Sequence, residues 1–270
     1  MKILSKLYTV LIFVFLYAPI LVLIVFSFND SKSRAVWGGF TLKWYGRLMQ
    51  NTEILNALTN TLLIAVLTAV AATLLGTAAA IGINGMNKWM RRVAMNMTNL
   101  PMANPEIVTG VSMLLLFVFL YDRVGILKPG FGTLLIAHIT FCLPYVVLSV
   151  LPKLRQMDPN LYEAAQDLGC APGKAFFKVV LPEIMPGIVT GMMMSFTISI
   201  DDFVISYFTS GTTETLPIAI YSMTRKLVSP EINALSTLLF GTVLILLIVV
   251  NLRQIRDQKK LRARKGGGGR

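Results

Sequence analysis

Long apolar runs are the feature that most constrains how this chain can fold. Six runs recur along the 270 residues, each of about 20 residues, enough for a helix to cross the hydrocarbon core of a bilayer. Hydrocarbon offers no partner to backbone N–H and C=O groups, so such runs must be helical. We predict spans at 9–28, 57–83, 94–121, 131–150, 184–208 and 232–252. The sequence therefore predicts an all-α integral membrane domain with six transmembrane helices over residues 1–256.

The distribution of basic residues predicts how the spans are oriented. The net charge of +12 would by itself suit a nucleic-acid-binding protein. However, the basic residues concentrate next to alternate ends of the predicted spans, at positions 2–6, 88–92, 153–178 and 253–265, and the other loops carry fewer. This alternation is the positive-inside pattern, and it places both termini in the cytoplasm. The expected partner is thus the lipid bilayer and not nucleic acid, and residues 257–270 form a basic cytoplasmic tail with a Gly-rich end.

A polar segment at 158–182 separates the fourth and fifth predicted spans. Asp158 and Pro159 are typical helix-start residues, because an Asp side chain caps free N–H groups and Pro suits the first helical position. Small and apolar residues then recur at helical spacing, at Leu161, Ala164, Ala165 and Leu168. Gly169 is expected to end this helix, since Gly tolerates the left-handed conformation that follows a helix.

A second short helix is expected from residue 172 or 173 to Val180, before Pro182 and Pro186 lead into the fifth span. The whole segment is either an ordinary helix–turn–helix connector or a docking element for a partner. The residues alone leave these two interpretations open.

Two adjacent acids, Asp201 and Asp202, lie within the fifth predicted span. A carboxylate at membrane depth costs a few kcal/mol, so it normally faces a cavity or a partner. Helical spacing puts Asp202 on one stripe with Ser195, Ser199 and Ser206, whereas Asp201 falls on a neighbouring stripe. The acids either line a pathway or pair structurally with a basic residue of an outer loop or of another subunit.

The third predicted span is interrupted near its start. Its uninterrupted apolar part, 107–121, is short for a bilayer, so the preceding residues must lie partly at membrane depth. Interrupted helices at that depth are tolerated where they line a cavity. We predict Asn104 as the cap, Pro105 as the first helical residue and Glu106 in the first turn. Glu106 either serves this helix start or contacts a substrate.

Other candidate residues give weaker signals. His138 is the single histidine, and we expect it to be a hydrogen-bonded structural residue in the fourth span. Trp44, in the first outer loop, is either an interfacial anchor or a ring face for an incoming cation. The sequence shows no Gly-rich phosphate loop, metal-ligand spacing or catalytic set, so we expect no catalytic residue, metal site or cofactor in this chain.

Residues in the polar segment resemble the cytoplasmic coupling loop of bacterial ABC importer permeases. The resemblance lies in Glu163, Ala164 and Ala165, then Gly169, then Leu181 with Pro182. Further stretches at 19–29, 137–144 and 195–202 look like the PotC-type permeases of spermidine/putrescine importers, and the resemblance covers about residues 8–252. It departs at Glu106, where that family pattern suggests Asp.

The resemblance implies an ABC importer type I transmembrane domain in a bacterial inner membrane. It implies coupling to an ATPase through Glu163, Ala164, Ala165 and Gly169, and a polyamine pathway with Asp201, Asp202, Ser199, Glu106 and Trp44. The implied partners are a homologous second permease, two copies of a cytoplasmic ATPase that binds ATP and Mg, and an extracytoplasmic polyamine-binding protein.

Three alternatives remain open. An ABC permease for iron or sulfate would keep the coupling loop, although a sulfate pathway favours basic or amide groups, which the spans hardly show. A secondary cation transporter would use the acids as an ion relay and gives no reason for the coupling loop. A structural or assembly protein would transport nothing.

Overall fold

The computed structural model describes residues 2–31, 36–158, 160–225, 230–245 and 248. Within these residues the regular structure is helical, apart from one isolated antiparallel bridge between Asn29 and Phe40. The chain forms two compact units, one of Met1–Leu55 with Ser222–Arg270 and the other of Asn56–Tyr221.

The described helices follow one another along the chain. In chain order they are α1 (Lys2–Ser27), α2 (Lys43–Gln50), α3 (Thr52–Gly85), α4 (Lys88–Ala103), α5 (Glu106–Val124), α6 (Phe131–Gln156), α7 (Asn160–Asp167), α8 (Pro172–Ala175), α9 (Leu181–Asp201), α10 (Val204–Thr209), α11 (Leu216–Arg225) and α12 (Glu231–Ile245). A π-helical turn, Phe176–Val180, joins α8 to α9.

Five helices of the described chain are long and apolar enough to cross a membrane. They are Lys6–Ser27, Thr52–Gly85, Glu106–Val124, Phe131–Gln156 and Pro172–Asp201. The first, second and fourth correspond to predicted spans 9–28, 57–83 and 131–150. The sixth predicted span, 232–252, begins in α12, but most of its residues after 245 lie outside the described residues, as does the predicted tail 257–270.

The third predicted span, 94–121, is not one helix. α4 ends at Ala103 and α5 begins at Glu106, so the interruption expected from the sequence is present. The predicted capping arrangement was wrong by one residue, because Pro105 is the N-cap of α5 and makes no side-chain capping bond. Asn104 instead closes α4, donating its backbone N–H to the carbonyl of Leu100.

The fifth predicted span, 184–208, is also divided. α9 ends at Asp201, and Asp202 has an extended backbone conformation with φ −63° and ψ 119°. α10 then begins at Val204. The apolar pattern continues through this point, but the helix does not, because the Asp202 side chain accepts backbone N–H groups of α10.

The predicted separation between a second polar helix and the fifth span was wrong. The chain is helical without interruption from Pro172 to Asp201. The π turn lies just before Pro182, and its wider ring is closed by the N–H of Leu181 and the carbonyl of Phe176. Pro lacks an N–H and its ring crowds the carbonyl four residues earlier, so a widened turn at this place lets the helix continue.

α6 and α9 form the core of the second unit. Gly187, Gly191, Ser195 and Ser199 are buried at four-residue intervals along α9. Small residues at this spacing let two membrane helices approach closely. On α6 the facing core residues are Cys142, Val146, Val147, Val150, Leu151 and Leu154. The polar residues of this stripe are thereby held against α6.

Substitution of Gly187 by Ala should destabilise this packing. A Cβ atom there would lie 2.7 Å from the Ser149 carbonyl oxygen and 3.2 Å from the Val150 Cα. We expect Gly187→Ala to cost about 1–3 kcal/mol, as overpacking usually does, and to lower the thermal aggregation temperature in detergent. Gly82→Ala is the matched control, because nothing lies within 4 Å of its Cβ. Equal thermal aggregation temperatures for the two variants would contradict the close contact of Gly187 with α6.

In the first unit, hydrogen bonds join described parts of the loop between α1 and α2 to one another and to α2. Asn29 is 1% exposed; its side chain accepts the N–H of Gly38 at 2.7 Å and donates to the Val36 carbonyl at 2.9 Å. The Trp44 indole N–H, on α2, donates to the Asn29 carbonyl at 2.7 Å. These bonds fix the start of α2 against the loop.

Candidate functional site

Asp202 occupies the break between α9 and α10. One carboxylate oxygen accepts the Ser206 N–H at 2.7 Å, and the other accepts the Ile205 N–H at 3.4 Å. These N–H groups belong to the first turn of α10, which has no earlier helical carbonyl to bond. The Asp202 side chain is only 5% exposed. It therefore acts as the capping group that starts α10.

His138, on α6, holds both sides of the break. Its Nδ1 lies 2.7 Å from the hydroxyl of Ser199 on α9, and its Nε2 lies 3.0 Å from the hydroxyl of Ser206 on α10. The same Nε2 is 3.4 Å from the Asp202 carboxylate, and the imidazole is 2% exposed. The expectation that His138 is hydrogen-bonded within the fourth span is confirmed. Of the predicted polar stripe, Ser199, Asp202 and Ser206 meet around His138 across a helix break. The buried Ser195 hydroxyl has no hydrogen-bond partner among the described residues.

Asp201 has a different environment from its neighbour. It is the last residue of α9, and it is exposed. Its carboxylate and that of Glu106, the exposed first residue of α5, lie close enough for their charges to interact. Tyr145 of α6 is within electrostatic range of Glu106 as well. Within the part of the chain that the structure describes, neither carboxylate has a salt-bridge partner, and negative charge at the ends of these two helices attracts cations.

The polar segment forms the predicted helix and turn. In α7 the Asp158 carboxylate accepts the Asn160 N–H at 3.0 Å, as expected of a helix start. Gly169 has φ +83°, and the N–H groups of Gly169 and Cys170 bond back to the carbonyls of Gln166 and Ala165 at 2.8 and 3.1 Å. The prediction that Gly169 ends the helix in a left-handed conformation is confirmed.

One face of α7 is presented outward. Glu163 and Ala164 are exposed, and Leu168, just past the helix, is 88% exposed. On the opposite face Tyr162 packs against the core formed by α6 and α9. Ala165 is half-buried between these two faces. The coupling residues predicted from the sequence thus lie on or beside an outward face with a small, apolar centre.

Trp44 lies in the first unit, where its indole is 1% exposed. Lys43 Nζ lies 4.7 Å from the ring centroid and Arg47 Cζ lies 5.2 Å from it. The charged side chains of Lys43 and Arg47, both on α2, therefore already lie over the Trp44 ring. The role of Trp44 in a pathway stays a prediction.

Sequence reasoning gave too little weight to His138 and did not single out Tyr145. A lone His in an apolar helix gives no local sign of its partners, which lie 61 and 68 residues away along the chain. Among the residues that the structure describes, no group of three His, Cys, Asp or Glu side chains could hold a metal ion. The negative charge of the exposed acids suits them to bind a cation.

Known proteins resemble this chain over nearly its whole length. The putrescine transport system permease protein PotI of Escherichia coli K12 is 41% identical over 262 residues, which cover 94% of this chain and 93% of that protein. The spermidine/putrescine transport system permease protein PotC of Escherichia coli K12 is 42% identical over 250 residues, 92% of each chain. PotC of Haemophilus influenzae is 38% identical over 242 residues, covering 89% of this chain and 92% of that protein.

A solved structure shares the fold. A bacterial ABC transporter involved in the import of the acidic polysaccharide alginate superposes with a TM-score of 0.72 at 17% identity, covering 94% of both chains. The predicted all-α fold of an ABC importer transmembrane domain is confirmed. The family model for the inner membrane component of binding-protein-dependent transport systems matches residues 72–260. This multi-pass membrane protein therefore belongs to the binding-protein-dependent transport system inner membrane component family.

Proposed function

We propose that this chain is a permease subunit of an ATP-driven polyamine importer. The observation that carries the proposal is the exposed pair of carboxylates, Asp201 and Glu106, in a chain whose relatives are named as putrescine and spermidine/putrescine permeases. A polyamine carries ammonium groups along an apolar chain, and carboxylates lower the cost of moving such a cation through a low-dielectric region. The attraction must stay moderate, since tight binding would stall release.

The coupling part of the proposal concerns α7. We propose that Glu163, Ala164, Ala165 and Gly169 form the surface that docks on a cytoplasmic ATPase. Its support is the outward apolar face of α7 and the sharp turn at Gly169. In this scheme ATP binding closes the ATPases, moves α7 and opens the cavity outward, and hydrolysis resets it. This chain contributes no catalytic residue to that hydrolysis.

The assembly follows from the same proposal. The chain lies beside a homologous second permease, on two copies of an ATPase that holds ATP and Mg, and receives polyamine from an extracytoplasmic binding protein. Both termini lie in the cytoplasm of a bacterial cell, which the alternating distribution of basic residues supports. Asp202, Ser199 and Trp44 remain candidate pathway residues, and the buried positions of their side chains favour an indirect contribution.

Substrate-dependent ATP hydrolysis and uptake by the reconstituted complex test the function. The panel is putrescine, spermidine, ferric iron and sulfate, each offered with the complete transporter in vesicles. We expect both polyamines to stimulate hydrolysis and to accumulate in the vesicles, and iron and sulfate to do neither. Stimulation by iron or sulfate alone would support another ABC permease, and uptake without the ATPase would support a secondary transporter.

A further inference from the structure

We propose that His138 is a positioning residue for substrate binding, acting through Asp202 on the neighbouring Asp201. His138 and Asp202 together fix the break between α9 and α10, and the break leaves the Asp201 carboxylate open to an alkylammonium group. The identity of that substrate rests on the proposed function. The two adjacent acids then have separate roles, since Asp201 meets the cation and Asp202 holds the backbone.

The Asp202 carboxylate is already occupied by donors from its own chain. It accepts the backbone N–H groups of Ile205 and Ser206, and the Nε2 atom of the His138 ring lies 3.4 Å from it. These three groups face the carboxylate from inside the protein and occupy most of its roughly four acceptor positions. A substrate ammonium would therefore compete with buried donors, and leaving one of them unpaired is unfavourable.

The imidazole joins the two helical segments to a third, independent helix. Ser199 lies on α9 three residues before Asp202, and Ser206 lies on α10 four residues after it. His138 contacts both hydroxyls from α6, the helix that packs along α9. Without the ring, three buried polar side chains around the break would lose a partner together. The break is therefore held by α6 and not by the local sequence alone.

The break exposes Asp201 for a geometric reason. Helical side chains point towards the N-terminus, so a residue four positions later covers the side chain of a given residue. In an uninterrupted helix Ile205 would lie over Asp201. The extended backbone at Asp202 instead directs Ile205 into the interior, where it is 0% exposed, and leaves Asp201 exposed. By fixing the break, His138 and Asp202 keep the Asp201 carboxylate accessible to a cation.

A double-mutant cycle between His138 and Asp201 tests the inference in the assembled complex. The four forms are the wild type, His138→Leu, Asp201→Asn and the double variant, with KM and maximal rate of polyamine uptake as readouts. We expect His138→Leu to raise KM about tenfold, as for loss of one hydrogen bond to a charged group, with a nearly unchanged maximal rate. In the Asp201→Asn background the same change should alter KM by less than about twofold.

Two further variants keep the test decisive. His138→Gln retains a donor near the Nε2 position and should restore most of the wild-type KM. If His138→Leu fails to assemble with the ATPase, Ser206→Ala removes one hydroxyl of the cluster and should show the same dependence on Asp201. An equal KM increase in both backgrounds, for whichever variant assembles, would mean a merely structural role and would overturn the inference.

The wild-type arm separates this inference from the proposed function. If the wild-type complex takes up no polyamine, the proposed function is wrong. If it takes up polyamine and the cycle is additive, the function stands and the positioning role of His138 is wrong.

Discussion

Asp201→Asn is expected to raise the KM for polyamine uptake about 30-fold, because a charge-assisted hydrogen bond to an ammonium contributes roughly 2 kcal/mol. The substitution keeps the size of the side chain and removes its charge. Asp201 is exposed and makes no helix cap, so folding and assembly should be unaffected. Uptake of labelled polyamine into vesicles gives the KM, and ATPase co-purification reports assembly.

The matched control for this substitution is Asp122→Asn. Asp122 is an exposed acid near the far end of α5, which begins at Glu106. We expect its KM to stay near the wild-type value. Wild-type uptake by Asp201→Asn, or an equal loss in both variants, would remove Asp201 from the pathway. Adding Asp202→Asn should abolish uptake, because it disturbs the cap of α10 as well.

Ala164→Arg is expected to abolish polyamine-stimulated ATP hydrolysis. Ala164 lies at the centre of the outward face of α7, and a long charged side chain there would prevent a partner surface from approaching. A disrupted interface centre typically costs about 2 kcal/mol or more, which lowers complex formation at least about tenfold. Co-purification of the ATPase and stimulated hydrolysis measure the two effects separately.

Ala164→Ser serves as the control for the coupling variant, since it adds polarity with little bulk. We expect it to retain both docking and stimulated hydrolysis. Intact co-purification and hydrolysis with Ala164→Arg would show that α7 is an ordinary connector. A loss of hydrolysis with intact co-purification would instead place α7 in transmission of motion and not in affinity.

Local backbone chemistry explains what could be predicted from the sequence. Gly169 was predictable because few other residues tolerate its positive φ, and the start of α5 was predictable because Pro105 and Glu106 suit a first turn. The position of the cap was wrong by one residue, since Asn is a preferred N-cap and Pro a preferred first helical residue, whereas here Pro105 is the N-cap. The Asn104 backbone N–H donates to the Leu100 carbonyl, which makes Asn104 the C-cap of α4 and not the N-cap of α5.

The end of α9 could not be predicted, because its cause is partly tertiary. The residues after Asp202 remain apolar and at helical spacing, so the pattern alone favours a longer span. The chain turns there because buried donors from α6 and α10 converge on one carboxylate. Similarly, helical spacing placed the two adjacent acids on different stripes, but it did not show that Asp202 is buried and Asp201 exposed.

The uninterrupted helix from Pro172 to Asp201 has a mechanical consequence. Thirty residues span about 45 Å at helical rise, and the chain stays helical over the whole of this length. Gly169, which follows α7, lies just before the start of this helix, and Asp201 is its last residue. A displacement of its first turns therefore reaches Asp201 through one continuous helix, in which the π turn and Pro186 alter the regular hydrogen-bond ladder.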